Sequence, residues 1–181
     1  MDIALELCTP QSYVALLDSL GGVAHACPSC GSSVHGAPQV ERGHISITHC
    51  APLHVIAVAD EPVGVDAERC GAGDGIESVA LHPHEQQAID RLSGDGRRRA
   101  VLETWVAKEA ALKLVGCGLQ IAPETFIARQ SDGWYVERGA LGSEPIHLCV
   151  TELDEHVVAV ATHRPDAYLV VRRHPDVPKL D

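Results

Sequence analysis

A six-residue echo within the sequence does most to constrain the fold. The segment HVIAVA at 54–59 recurs as HVVAVA at 156–161, and each copy follows a strand-like run. A duplication would give two related α+β halves, the second longer than the first. Chance similarity between short β-rich peptides is the alternative, because repeat periods in arrays are usually shorter than this spacing. The echo by itself leaves both explanations open.

The other apolar patterns predict short strands and a few helices. Residues 10–20, 83–92 and 97–115 have helical periodicity, and Gly116 is a plausible stop for the last of these helices. Residues 21–43 are rich in Gly, Ser, Cys and His, which is typical of a loop. Strand-like runs occupy 44–50, 53–60, 134–137, 146–153, 156–163 and 168–173.

The bulk properties exclude several classes of protein. A chain of 181 residues suits one domain or two small packed halves. The formal net charge of −11 argues against binding to nucleic acid or to anionic membranes. No apolar run approaches the roughly 20 residues of a membrane span. Seven cysteines, an odd number in a chain of this length, favour a reducing cytoplasm.

Two carboxylates follow a buried strand-like run in PVGVDAERC, residues 62–70. Side chains two apart in a strand share a face, so Asp66 and Glu68 would repel unless a cation lies between them. In the helical segment, Glu109 and Lys113 are four residues apart and lie on one side. Three carboxylates with a lysine are typical of a Mg²⁺ site beside an anionic substrate. Taken alone, Glu109 and Lys113 could equally form an ordinary surface pair.

Two spaced motifs resemble the signature of the 4′-phosphopantetheinyl transferases. GVDAE at 64–68 and WVAKEAALK at 105–113 match the family pattern G-[V/I]-D-x-E followed by W-x-x-K-E-[S/A]-x-x-K. The similarity continues in GCGLQIAPETF at 116–126. Upstream, HGAPQVERGHISITHC at 35–50 is similar to motifs of the larger, surfactin-synthetase-activating type. The chain therefore resembles a short form of that type.

The resemblance implies an α+β, pseudo-duplicated fold of two similar halves, each with a small antiparallel sheet and a helix. Residues 1–62 would form a short N-terminal half from which the family's basic segment is missing. Residues 63–181 would form the C-terminal half with the metal site. The halves would meet near residues 60–64, with the site in the cleft between them, in a monomer.

The resemblance also implies an activity and a catalytic set. These enzymes transfer the phosphopantetheine arm of coenzyme A to a serine of an acyl or peptidyl carrier protein. Asp66, Glu68 and Glu109 would hold Mg²⁺ against the coenzyme A diphosphate, which makes Asp66 part of the catalytic set. Glu109 or a metal-bound water would take the serine proton. Lys113 would stabilise or protonate the leaving phosphate.

Five further positions correspond to coenzyme A contacts in the family. Lys108 would reach a nearby phosphate, and His49 would contact the 3′-phosphate. Because His49 and Thr48 are neighbours in a strand and point to opposite faces, Thr48 would offer its backbone. Gly36 and Pro38 belong to a segment similar to the family's G-K-P motif, which is expected to grip the coenzyme.

The chain departs from the family pattern in its cations. Ala37 stands at the lysine of the G-K-P motif, and residues 1–34 contain no Lys or Arg. We expect weaker binding of coenzyme A, or compensation by Arg42, His35 or Arg69. The alternative function is a degenerate member that binds coenzyme A or a carrier protein without efficient turnover. The missing cations favour this alternative, whereas the intact acidic set favours catalysis.

Two other sequence features allow separate hypotheses. Cys27 and Cys30, with His25 and His35 nearby, form a possible structural Zn²⁺ site, because Cys-x-x-Cys is a common half-site. The alternative is a loop that orders the coenzyme pocket. The run Arg97–Arg99, with an adjacent apolar patch, is the expected docking surface for a carrier protein.

Overall fold

Two sheets packed face to face, with one long helix against the second sheet, form the framework. The computed structural model describes residues 1–27, 30–34, 36–72, 75–130 and 133–177. The strands are β1 (Asp2–Cys8), β2 (Ala24–Ala26), β3 (Ala37–Gln39), β4 (His44–Cys50), β5 (Leu53–Ala59), β6 (Val63–Arg69), β7 (Arg129–Gln130), β8 (Gly133–Val136), β9 (Ile146–Leu153), β10 (His156–Thr162) and β11 (Tyr168–Arg173). The α-helices are α1 (Pro10–Ser19), α2 (Glu77–Ala80), α3 (Pro83–Ile89) and α4 (Gly94–Val115).

The first sheet has the order β11-β1-β5-β4 and the second has the order β6-β10-β9-β8-β7. The second sheet is antiparallel throughout. In the first sheet one pair departs from the expected antiparallel arrangement, because β1 and β11 run parallel. The predicted division into 1–62 and 63–181 therefore does not separate the two sheets completely, because β11, from the second segment, belongs to the first sheet. The remaining pair, β2 with β3, forms a small antiparallel ribbon.

The repeated sequence occupies equivalent positions in the two sheets. HVIAVA lies in β5 and HVVAVA lies in β10, and each is the second strand of an antiparallel hairpin. Each of these strands also has a neighbour on both sides within its sheet. Two sheets built around matching hairpins, with helices packed outside, confirm the α+β class predicted from the sequence.

Apolar side chains from both sheets meet in one core. Ile3 and Leu5 of β1 and Val55 of β5 pack in the same cluster as Val65 of β6 and Val158 of β10. The strand period of two explains this arrangement, because alternate residues of each strand point into the gap between the sheets. The opposite face of β6 is therefore left for α4 and for polar side chains.

The helix α4 packs closely on β6 because the side chains at the contact are small. Ala110 of α4 is fully buried, and a Cβ added to Gly64 would lie only 2.0 Å from the Ala110 carbonyl oxygen. Glycine is required at this close approach. The helix ends at Gly116, which has φ of 70° and ψ of 13°, a left-handed C-cap. This contact sets the carboxylates of β6 beside the last turns of α4.

Several elements were absent from the sequence prediction. β1 and α2 were not predicted, and the expected loop at 21–43 contains the short strands β2 and β3. By contrast, the helix predicted at 97–115 begins slightly earlier, at Gly94. Among the described residues, none of the helices combines the length and apolar character of a bilayer span.

Candidate active site

The site forms where two edge strands, β4 and β6, lie side by side. Each pairs through its backbone with another strand, β4 with β5 and β6 with β10. Side-chain hydroxyls join them instead. Ser46 Oγ accepts the Val65 N–H at 2.9 Å, and Thr48 Oγ1 donates to Asp66 Oδ1 at 2.9 Å. Both bonds are buried, so they fix Asp66 against the first sheet.

Lys113 is the cation in contact with Asp66. Its Nζ lies 2.6 Å from Asp66 Oδ1 and 3.4 Å from the Ile47 carbonyl oxygen. The Lys113 side chain is 29% exposed, whereas that of Asp66 is 9% exposed. Lys113 thus links α4 to both edge strands and remains accessible from outside.

Two further carboxylates, Glu68 and Glu109, lie near this pair and form no ion pair with another described residue. Burial raises the pKa of Glu109, and the negative charge of Asp66 raises it further. Burial and Asp66 likewise raise the pKa of Glu68, while Lys113 opposes the shift. Glu109 Oε1 is buried and has no hydrogen-bond partner among the described residues. Negative charge therefore exceeds positive charge here.

The chemistry of these donors suits a hard divalent cation. Carboxylate oxygens are the preferred protein ligands of Mg²⁺, and the unpartnered oxygen of Glu109 is an available one. In the described part of the chain, however, no group of three His, Cys, Asp or Glu side chains is arranged to hold a metal ion. The negative charge of Asp66 raises the pKa of both Glu68 and Glu109. The three acidic side chains therefore suit a divalent cation in charge, and the Lys113 ammonium contacts Asp66 in this structure.

The expectation that Lys108 reaches a phosphate is wrong for this structure. Its side chain is 0% exposed, and its Nζ lies 2.5 Å from Glu85 Oε2. The same ammonium donates to the carbonyl oxygens of Ala80 at 2.8 Å and Pro123 at 2.9 Å. An ammonium has three protons, and all three are used within the protein. Lys108 is therefore a structural residue.

Glu85 is a structural centre whose buried contacts were not predicted from the sequence. Its Oε2 accepts the His82 N–H at 3.0 Å, which completes a capping box at the start of α3. Its Oε1 accepts the backbone N–H groups of Ala128 at 2.9 Å and Arg129 at 3.1 Å. The spacing His-Pro-x-Glu at 82–85 is a helix-start signal that could have located it.

Thr48 and His49 lie on β4 as expected but make different contacts. Thr48 directs its side-chain hydroxyl to Asp66, and the contact of its backbone with the coenzyme stays a prediction. His49 is exposed and lies edge-on to His54, with ring centroids 4.6 Å apart. Partial loss of hydration beside its neighbours lowers the pKa of His49, and the nearby Lys113 charge lowers it further. Its contact with a phosphate remains a prediction.

A cavity of about 360 Å³ lies beside Lys113. Pro38 of β3, His44 of β4 and Val63 of β6 contribute to its walls. Gly36 precedes this wall, and a Cβ there would lie 2.3 Å from the Ala26 carbonyl oxygen, so glycine permits the close crossing of β2. The segment predicted to grip the coenzyme thus borders a cavity that Lys113 also reaches.

A larger cavity of about 590 Å³ lies at the other end of β6. Cys8, Leu53 and Arg69 line it together with the β9–β10 turn. Apart from Arg69, none of the residues predicted for catalysis or for contact with the coenzyme is in its lining. Arg69, one candidate for a compensating cation, forms an ion pair with Glu155 at 3.2 Å.

The zinc hypothesis falls partly outside the described residues. Cys27 is half-buried and Cys30 is exposed, whereas His35 is not among the residues that the structure describes. His25 Nδ1 hydrogen-bonds to the Gly36 carbonyl oxygen at 3.2 Å. Zinc at Cys27 and Cys30 therefore stays a hypothesis without a described ligand set.

The arginine triplet Arg97–Arg99 lies at the start of α4, and all three of its guanidinium groups are paired with carboxylates. Arg97 contacts Glu77 at 3.0 Å, Arg98 contacts Asp95, and Arg99 contacts Glu103 at 2.9 Å. These pairs reduce the positive charge available to an acidic partner. Docking at this triplet remains a prediction.

Comparison with known proteins supplies a family. The family described as "4'-phosphopantetheinyl transferase superfamily" matches residues 62–161. A 4'-phosphopantetheinyl transferase of Bacillus subtilis is 27% identical over 80% of this chain and 67% of its own length. The transferase psf-1 of Bacillus pumilus is 30% identical over 71% of this chain and 57% of its own. The chain thus spans between about half and two thirds of the length of such relatives.

A solved structure is also similar. It is a holo-(acyl-carrier-protein) synthase from Bacillus anthracis in complex with CoA (3',5'-ADP), 22% identical, with a TM-score of 0.45. The alignment covers 55% of this chain and 92% of that one.

Proposed function

The chain belongs to the 4′-phosphopantetheinyl transferase superfamily, and we propose that it transfers phosphopantetheine from coenzyme A to a carrier-protein serine. The family match includes both motifs that place acidic residues on β6 and α4. The curated relatives carry the name of this activity. The acceptor is an acyl or peptidyl carrier protein, and the reaction releases adenosine 3′,5′-bisphosphate.

One observation supports this proposal more than any other. Asp66 of β6 and Lys113 of α4 meet at 2.6 Å, and Glu109 lies close enough to Asp66 and Glu68 for their negative charges to raise its pKa. Distant parts of the chain thus supply the acidic residues and the lysine that phosphoryl-type transfer requires. The three acids would hold Mg²⁺, which neutralises negative charge on the diphosphate when bound.

The chain's own residues supply proton transfer and orientation. The carboxylate of Glu109 accepts the proton of the carrier serine as its oxygen attacks the β-phosphorus. The bond from that phosphorus to the leaving bisphosphate breaks, and the Lys113 ammonium donates to the oxygen that departs. The raised pKa of Glu109 makes it a stronger base than an ordinary carboxylate. Thr48 holds Asp66 in place through its hydroxyl.

The cavity beside Lys113 suits the nucleotide part of the coenzyme. Its volume of about 360 Å³ is in the range of small-molecule sites. Pro38 and Val63 offer apolar walls for a base, and Lys113 and His44 add polar groups to the lining. In this arrangement His49, exposed on β4, is left to contact the 3′-phosphate.

A degenerate member that binds without efficient turnover is the second candidate. Ala37 replaces the motif lysine, residues 1–34 lack Lys and Arg, and Lys108 is enclosed within the protein. Each absence removes a charge-assisted contact worth about 1.5–3 kcal/mol. This candidate predicts binding of coenzyme A with no modified carrier protein.

Mass spectrometry distinguishes the two candidates. Apo forms of fatty acid, polyketide and peptide carrier proteins are incubated with the chain, coenzyme A and Mg²⁺. A transferase adds one phosphopantetheine mass to at least one of them. Glu109→Gln is the control, since it keeps the shape of the side chain but removes the base. Unmodified carriers beside measurable coenzyme A binding would support the degenerate alternative.

A further inference from the structure

Asp66 already has a cation in this structure. Lys113 Nζ lies 2.6 Å from Asp66 Oδ1, and Thr48 Oγ1 donates to the same oxygen at 2.9 Å. That oxygen therefore has two donors directed at it. A divalent cation that uses Asp66 would meet the Lys113 ammonium at close range, where like charges repel strongly in a partly buried site.

The Lys113 ammonium has a second position within reach, in the cavity that its side chain lines. Its side chain, 29% exposed, also lines the cavity of about 360 Å³ proposed for the nucleotide. A lysine carries its charge on a flexible four-carbon stem, so a change of rotamer can redirect the ammonium. The bond to the Ile47 carbonyl oxygen, at 3.4 Å, is long and holds it weakly.

We infer that Lys113 is an exchangeable counter-ion of Asp66, which it leaves for a substrate phosphate when a divalent cation binds the acidic side chains. This inference rests on the proposed function for the identity of the phosphate. It also accounts for the unpartnered Glu109 Oε1, an oxygen that the Lys113 ammonium does not reach in its present position.

The exchange couples two binding events. Without coenzyme A, Lys113 competes with the divalent cation for Asp66 and weakens cation binding. With coenzyme A bound, a phosphate receives the ammonium and the competition ends. By linkage, each ligand then strengthens binding of the other by the same factor. Removal of Lys113 should therefore strengthen Mg²⁺ binding to the free protein while weakening binding of coenzyme A.

Calorimetric titration of Mg²⁺ alone into chelator-treated protein tests this inference. We expect Lys113→Met to bind Mg²⁺ about tenfold more tightly than the wild type. We also expect the gain in Mg²⁺ affinity on adding coenzyme A to be large in the wild type and to shrink to about onefold in K113M. Asp66→Asn should abolish the tight binding, which assigns it to this site.

Arg69→Met is the matched control, because Arg69 is on the same strand and its removal deletes an equal charge while leaving Asp66 untouched. If R69M strengthens Mg²⁺ binding as much as K113M does, the gain comes from removing any nearby positive charge, and the exchange is refuted. Equal or weaker Mg²⁺ binding by K113M also refutes it. Stronger binding by K113M with no carrier protein modified by the wild type would support the exchange and count against the proposed function.

Discussion

Two lysines of one helix have opposite environments. Lys108 and Lys113 are five residues apart on α4, which places them about 140° apart around its axis. Lys108 is fully buried with three acceptors, whereas Lys113 is partly exposed beside an excess of carboxylates. The same signature motif thus supplies a structural anchor on one face and a partly exposed, accessible charge on another. Residue type alone does not reveal which lysine reaches a substrate.

The strongest test of this contrast is Lys108→Met. We expect the free energy of unfolding to fall by about 3–5 kcal/mol, because Glu85 keeps a buried charge without a counter-ion. Urea denaturation measures the loss, and calorimetry should show unchanged coenzyme A affinity in the folded fraction. The double variant K108M/E85Q should recover part of the stability. If K108M instead has the stability of the wild type and binds coenzyme A more weakly, Lys108 contacts a phosphate after all.

The second test makes the corresponding change at Lys113. We expect Lys113→Met to slow phosphopantetheine transfer by about 100-fold, because the leaving phosphate loses its donor. The free energy of unfolding should change by less than about 1 kcal/mol, since the ion pair is partly exposed. Rates come from mass spectrometry of the carrier protein. A fully active K113M would mean that no charge at this position assists the transfer.

A third change separates the two faces of α4. Gly64→Ala should lower the free energy of unfolding by about 2 kcal/mol, because its Cβ would collide with the Ala110 carbonyl oxygen at 2.0 Å. Moving β6 away from α4 should also slow the transfer while leaving the Lys108–Glu85 pair intact. Gly96→Ala, on the open surface of α4, is the matched control and should stabilise slightly. Equal stabilities of the two variants would contradict the close packing.

The smallest expected effect is on the pH dependence of stability, and it comes from Glu109, on the side of α4 that carries Lys113. Burial and Asp66 raise the pKa of Glu109, so losing its proton costs more in the folded than in the unfolded chain. Stability of the metal-free wild type should therefore decrease as pH rises above the ordinary carboxyl range. Glu109→Gln should reduce this slope and raise the melting temperature at neutral pH by about 3 °C. Melting curves in a chelator, from acidic to neutral pH, measure it; a slope as steep as that of the wild type would be the contrary result.

The sequence was sufficient for elements with a clear period. The predicted bounds of β4, β9 and β11 agree with the structure, and the repeated segment, which left duplication and chance open, lies in the second strand of a hairpin in each sheet. The spaced motif also identified Asp66, Glu109 and Lys113 as site residues, and the structure places these three side chains near one another. These successes depend on local periodicity and on a specific spaced motif.

The failures concern tertiary neighbours. Fully buried lysines are rare, so nothing in the motif announced that Lys108 would be enclosed by Glu85. The bond from the Thr48 hydroxyl to Asp66 was not predicted either, because it depends on β6 lying beside β4. Strand periodicity fixes which side chains share a face, but it does not say which strand comes alongside.

The parallel pairing of β1 with β11 has a consequence for how the molecule is assembled. Asp2 lies opposite Tyr168, so the first sheet draws together segments separated by almost all of the described chain. Contacts of such long sequence separation form late and slow a folding reaction. During synthesis β1 must wait, with one hydrogen-bonding edge open, until its distant neighbour has emerged from the ribosome. Until then the unpaired N–H and C=O groups of that edge are open to pairing with another chain.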